Sequence, residues 1–191
     1  MMKRKQAKAL VKLGLFKGHA AQELGLSQQD LSRLTRDGVL VRAGRGVYFH
    51  RDADMGDDVD FKVACLKFGP RSAIGGLSAL FHYGLTEQVP RQTWVLVPAT
   101  VNTKEFRYRL NRTKSDLTIG VVAKPGYRIL TVERALLEGL RLATKIGERT
   151  AIGAVRKAFV QDLTTEAKLG RIAKELALIS TIAKFSEAIF A

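Results

Sequence analysis

Ala20-Ala21-Gln22-Glu23-Leu24-Gly25-Leu26-Ser27-Gln28-Gln29-Asp30-Leu31-Ser32-Arg33-Leu34-Thr35-Arg36-Asp37-Gly38-Val39-Leu40-Val41-Arg42-Ala43-Gly44-Arg45-Gly46-Val47-Tyr48 decides the fold of the first quarter of the chain. Its left end reads as a helix, about Lys17 to Leu24, that turns Ala20, Ala21 and Leu24 inward and stops at Gly25. A short turn follows. Ser27 stands three residues before Asp30, the spacing of a capping box in which hydroxyl and carboxylate satisfy free backbone donors, with Asp reaching less well than Glu would. The spacing predicts a helix from Ser27 to Asp37 with Leu31 and Leu34 on the core side. Gln28, Gln29, Ser32, Arg33 and Arg36 then point outward. After Gly38 the period changes. Val39-Leu40-Val41 and Val47-Tyr48-Phe49 are β-prone runs joined through Gly44 and Gly46, a hairpin reaching His50 with Arg42 and Arg45 beside its tip.

Upstream, Ala9, Leu10, Leu13 and Leu15 give a first helix its apolar face, lysines occupy the other side, and Gly14 closes it. The order is helix, helix, tight turn, polar helix and basic hairpin, which predicts a winged helix-turn-helix over residues 1–50. The outward side chains have the chemistry of groove readout. Gln bonds adenine at two atoms, Arg does the same to guanine, Ser donates to a base or a phosphate, and the wing arginines reach phosphates or a minor groove. The predicted DNA-binding set is Lys17, Ser27, Gln28, Gln29, Ser32, Arg33, Arg36, Arg42 and Arg45. A merely solvated basic surface is the reading for any one of these cations alone; their arrangement in this order favours duplex DNA.

Charge agrees. The 191 residues hold 32 Lys and Arg against 18 Asp and Glu, a net charge of +14 that points to a polyanionic partner. Residues 1–50 carry ten of the cations against three acids, so half the net charge sits in about a quarter of the chain. The sign then reverses at Asp52, Asp54, Asp57, Asp58 and Asp60. An acidic linker is expected over residues 51–58, with a second domain over 59–191. No apolar run approaches a membrane span, and the basic start lacks the apolar stretch of a secretory signal, so a cytoplasmic protein with no membrane partner is expected. The single cysteine, Cys65, fits a reducing compartment and reads as a buried packing residue.

Beyond the linker, Val59 to Phe68 and Ser72 to Tyr83 read as helices and Thr93 to Val97 as a buried strand ended by Pro98. Phe106 to Leu110 and Leu117 to Val122 read as strands. Thr131 to Thr144, capped by Thr131 with Glu133 at the positive helix start, Glu148 to Phe159, Thr165 to Leu178 and Ser180 to Phe190 read as helices. The expected fold class is therefore α+β, an N-terminal winged helix-turn-helix followed by a helix-rich mixed α/β C-terminal domain. Gly75-Gly76 inside a predicted helix is odd, and close packing against another element accounts for it better than a phosphate-binding turn. Arg107 and Arg109 on one strand face, with Arg112 and Lys114, form a basic stripe for which a solvated strand face is the favoured reading.

The motif Ala-Ala-Gln-Glu-Leu-Gly-Leu-Ser, the polar helix and Asp-Gly-Val-Leu-Val-Arg-Ala-Gly-Arg-Gly-Val-Tyr together resemble the N-terminal domain of the AbiEi family of antitoxin repressors. Pro70 to Leu80, Thr93-Trp94-Val95-Leu96-Val97-Pro98 and Tyr127 to Glu138 resemble its later elements, so the likeness extends over about residues 7–165. The resemblance implies a repressor that acts on its own operon at inverted repeats, where a dimer is one arrangement. It also implies an antitoxin of a type IV pair that counters a nucleotidyltransferase toxin, direct contact with the toxin not being expected. In the family the C-terminal region carries the antitoxin activity and assists cooperative DNA binding, here about Val59 to Ala191.

Two rivals come from other classes. Asp57-Asp58-Val59-Asp60 with Lys62 nearby has the composition of a divalent-metal nuclease site, but acids before an apolar helix are expected from the helix dipole, and no second motif completes a ligand set. His19, His50 and His82 lack metal-ligand spacing, and there is no P-loop, nucleophile elbow or zinc pattern. No catalytic residue, metal or cofactor is therefore predicted. The other rival is a general winged-helix nucleic-acid binder without an antitoxin role, RNA included; the winged arrangement favours a wide major groove over A-form RNA.

Overall fold

The computed structural model describes residues 4–190, so Met1, Met2 and Lys3 of the basic start and Ala191 lie outside the described residues. The chain divides into two compact units, Met1–Lys67 and Phe68–Ala191.

The first unit runs α1 (Arg4–Leu13), β1 (Phe16–Lys17), α2 (Gly18–Gln22), α3 (Gln28–Arg36), β2 (Leu40–Gly44), β3 (Val47–His50) and α4 (Val59–Phe68). Leu10, Phe16, Ala21, Leu26, Leu31, Leu34, Leu40 and Tyr48 form its core. One residue from nearly every element meets there, which fixes α3 against the hairpin. Leu13, expected on the apolar face of α1, is instead exposed at the last position of the helix, next to the turn at Gly14. The helix predicted for Lys17 to Leu24 is shorter. Lys17 leaves it to join Phe16 in β1, antiparallel to β3 with Phe16 opposite Tyr48 and Lys17 opposite Val47. The sheet order is thus β1-β3-β2. The chain leaves α3 through Gly38, whose φ of +70° lets Val39 N donate back to Leu34 O at 2.9 Å and sends β2 off the helix end. The acidic segment leads into α4, which groups with this unit as far as Lys67. Cys65 is buried, as its apolar neighbours predict.

The second unit holds β4 (Ala73–Ile74), α5 (Gly76–His82), β5 (Thr93–Pro98), β6 (Tyr108–Thr113), β7 (Val121–Lys124), β8 (Tyr127–Leu130), α6 (Val132–Arg141), α7 (Ala143–Ile146), α8 (Glu148–Val160), α9 (Glu166–Glu175) and α10 (Ile179–Phe190). Its five-stranded sheet has the order β6-β5-β4-β8-β7. The pairs β5–β6 and β4–β8 are parallel, while β4–β5 and β7–β8 are antiparallel, so the sheet is mixed. Helix α6, buried from Arg134 to Leu140, packs against α5, α8, α9 and α10. The class expected from the sequence, α+β with a helix-rich second half, is the class observed.

Four elements of this unit differ from the expected bounds. The helix predicted from Ser72 to Tyr83 is a two-residue strand followed by a seven-residue helix. Gly76 has a φ of +49°, and a Cβ there would lie 2.6 Å from both Trp94 Cε3 and Asn111 Nδ2, so close packing explains the glycine pair. Strands β6 and β7 begin two and four residues later than read. Helix Thr131–Thr144 breaks at Leu142 into α6 and α7, with the Thr131 hydroxyl accepting from Arg134 N as the cap. Among the described residues no helix is long and apolar enough to cross a membrane.

Candidate nucleic-acid interface

Helix α3 is built to present one polar face. Ser27 and Asp30 close the capping box in full: Asp30 N donates to Ser27 Oγ at 3.1 Å and Ser27 N to Asp30 Oδ2 at 3.0 Å. Aspartate therefore reaches as well as needed, because Ser27 Oγ also donates to the same carboxylate oxygen at 2.7 Å. Those bonds hold the Asp30 carboxyl below its usual range, the Ser27 hydroxyl first and its backbone amide second. Leu31 and Leu34 are buried and fix the rotation of the helix.

The predicted DNA-binding residues other than Lys17 then fall into three groups. The side chains of Gln29, Arg36 and Arg45 are exposed and hydrogen-bond no other described residue. Arg33, Arg42 and Gln28 are exposed but lightly engaged. Arg33 Nη2 lies 2.8 Å from Asp30 Oδ1, Arg42 Nε donates to Gly44 O at 3.4 Å, and Gln28 Nε2 makes a long 3.5 Å contact with the Tyr48 hydroxyl. Exposed pairs of this kind are weak and exchange readily for a polyanion. The two serines are committed to the helix itself, Ser27 to the cap and Ser32 Oγ to Gln28 O at 3.0 Å, so each keeps only acceptor capacity. As donors to DNA they are spent in this structure.

Lys17 is placed by an element the sequence did not disclose. Strand β1 sets it opposite Val47, and Gly18 N donates to Gly46 O at 3.0 Å, tying the start of α2 to the wing turn. A register shift between Arg42 and Gly44 bulges β2 beside that turn. Lys17, Arg42 and Arg45 therefore belong to one strand-and-turn assembly adjoining α3. A two-residue strand leaves no periodicity to read, and only the apolar Phe16 between two glycines hints at it.

The basic stripe of the second unit is not a single face. Arg107 precedes β6 and pairs with Glu105 at 3.3 Å, Arg109 lies over the Trp94 ring, and Arg112 donates to Val101 O and Asn102 Oδ1. The acidic segment gathers no metal site: among the described residues no three His, Cys, Asp or Glu side chains could hold an ion, and Lys62 Nζ donates to Met55 O.

The first unit is thus a winged helix-turn-helix with a polar, cationic face. Residues 8–48 match the family described as transcriptional regulator, AbiEi antitoxin, which shows the resemblance over those residues, a shorter span than the 7–165 read from the sequence, and supports a role as a transcriptional regulator and antitoxin. The fold over 92% of this chain is similar to that of the RV2827C protein from Mycobacterium tuberculosis, covering 75% of that chain at a TM-score of 0.62 and 14% identity. No curated protein sequence matches the chain.

Proposed function

We propose that the protein is a sequence-specific DNA-binding repressor of the AbiEi type, reading operator inverted repeats upstream of its own operon and serving as the antitoxin of a type IV pair. Residues 1–50 supply the DNA-reading domain, 51–58 the acidic linker, and 59–191 the antitoxin region. The cognate nucleotidyltransferase toxin is countered without direct contact, in the cytoplasm, and the protein itself performs no catalysis. One observation carries the reading: Gln29 and Arg36 stand open on a capped helix beside a wing whose Arg45 is equally open. This is the pairing of base-reading and phosphate-reading groups that groove recognition needs.

Fluorescence anisotropy against the protein's own upstream promoter and a scrambled duplex, across a salt series, tests it. A promoter preference of ~10³ or more with steep salt dependence is expected. Equal, weak binding to both duplexes would reduce the protein to a general basic binder. Cleavage of the duplex on adding Mg²⁺ would return the aspartate segment to the role of an active site.

A further inference from the structure

The second unit contains a basic cavity of about 350 Å³ that the DNA-binding reading does not use. One wall is the turn at Arg71, the other the loop Lys114 to Thr118, with Arg128 of β8 between them. Both walls are held from behind. Arg128 donates to Ser72 O at 2.7 and 3.0 Å and to Gly69 O at 3.2 Å, which pins the turn carrying Arg71. Arg134, fully buried in the first turn of α6, donates through Nη1 to Asp116 O at 2.7 Å and to Ile119 O, which pins the loop.

The charges are arranged for an anion. Arg71 and Lys114 are exposed and hydrogen-bond no other described residue, and the Ser115 hydroxyl is likewise uncommitted. Asp116 also lines the cavity; its Oδ1 accepts from Thr118 N at 2.7 Å and Thr118 Oγ1 at 2.8 Å, so one of its two oxygens is held by the loop. Those two bonds, with Arg134 and Arg71 nearby, hold the carboxyl below its usual range. Behind the loop, Arg134 keeps Nε and Nη2 buried without a hydrogen-bond partner among the described residues, with the Glu138 and Asp116 carboxylates as its nearest opposite charges.

We infer that this cavity binds the terminal phosphate of a small phosphomonoester of nucleotide size, its dianion held between Arg71 and Lys114 with the Ser115 hydroxyl donating. A concave site suits a terminal phosphate with three free oxygens, each taking a charge-assisted hydrogen bond, better than a phosphodiester within a duplex. The volume exceeds what a bare phosphate fills and leaves room for the group that carries it.

Titration calorimetry of the full chain with inorganic phosphate, AMP and adenosine tests this, alongside the exposed-surface variants Arg71→Ala and Lys114→Ala, whose thermal midpoints should match the parent. AMP and phosphate should bind, adenosine should not, and each variant should weaken AMP by roughly tenfold. The preference for the promoter over a scrambled duplex should stay unchanged in both variants. Absence of AMP binding up to about 10 mM overturns the inference. So does a pattern in which the variants lose affinity for a duplex without terminal phosphates while AMP is ignored, which would make the cavity a backbone contact.

Discussion

Arg33 and Arg36 sit one turn apart on the exposed face of α3, yet they start from different states. Arg36 is open, whereas Arg33 must leave Asp30 before it reaches a base. Replacing Arg36 with Ala should therefore cost ~1 to 3 kcal/mol of operator affinity, concentrated at one base pair, if its guanidinium reads guanine at two atoms. Arg33→Ala should cost less. Anisotropy against operators carrying single base changes separates the two, and equal losses spread over every sequence would demote both to phosphate contacts. Ser27 permits a second prediction, on stability. Ser27→Ala removes the cap and should cost about 1 kcal/mol in urea unfolding. The folded Asp30 carboxyl titrates below its unfolded value, so its stabilising effect is complete above the ordinary aspartate pKa of about 3.9 and is lost as pH falls through the depressed one. In Ser27→Ala that loss on acidification should shrink, and an unaltered acid limb would show that the box does not hold Asp30. The Ser27 to Asp30 spacing was legible because capping is local in sequence. Arg134 was not: its carbonyl partners lie 15 and 18 residues upstream, and nothing local marks a helix-start arginine for full burial.

At the scale of elements, long periodic helices and the hairpin could be read, while two-residue strands could not. Strands β1 and β4 exist because of partners, Tyr48 and Val47 for one, Leu96, Val95 and Ile129 for the other, and neither is long enough to alternate. Without β4 the local pattern runs as one helix through Gly75-Gly76. That pair is where strand becomes helix, and the tight approach of Trp94 and Asn111 leaves no room for a side chain. Gly76→Ala should destabilise the second unit by on the order of 2 to 4 kcal/mol, combining a strained positive φ with overpacking against an indole. Urea unfolding measures it; a loss below about 0.5 kcal/mol, the range of ordinary surface changes, would mean that the strand-to-helix junction relaxes freely. The wing makes a different kind of prediction. Arg42 and Arg45 lie beside a bulged hairpin and read no base in the arrangement proposed, so each change to Ala should weaken promoter and scrambled duplex alike. Each should also flatten the salt dependence by about one unit. Loss of promoter preference in Arg45→Ala would place the wing in a groove instead of along the backbone.

Over the whole molecule the charge is distributed less simply than the first fifty residues imply. The compact first unit ends at Lys67, and up to that point thirteen Lys and Arg face eight Asp and Glu. After it, nineteen face ten, so the second unit holds a surplus of nine and the first a surplus of five. The acidic segment before α4 offsets much of what the helix and wing contribute. Specificity and electrostatic attraction therefore need not come from the same part of the chain. Base edges are read by a few side chains on α3, while counterion release scales with the number of phosphates neutralised anywhere along the protein. Changing Arg33, Arg36, Arg42 and Arg45 together to Ala leaves a net charge of +10, most of it beyond Lys67. This variant should lose its preference for the promoter while keeping measurable, salt-sensitive affinity for any duplex. Anisotropy at low salt against promoter and scrambled DNA reads both quantities at once. If all duplex binding vanished with the four arginines, the first unit would carry attraction as well as readout, and the surplus charge of the second would serve another anion.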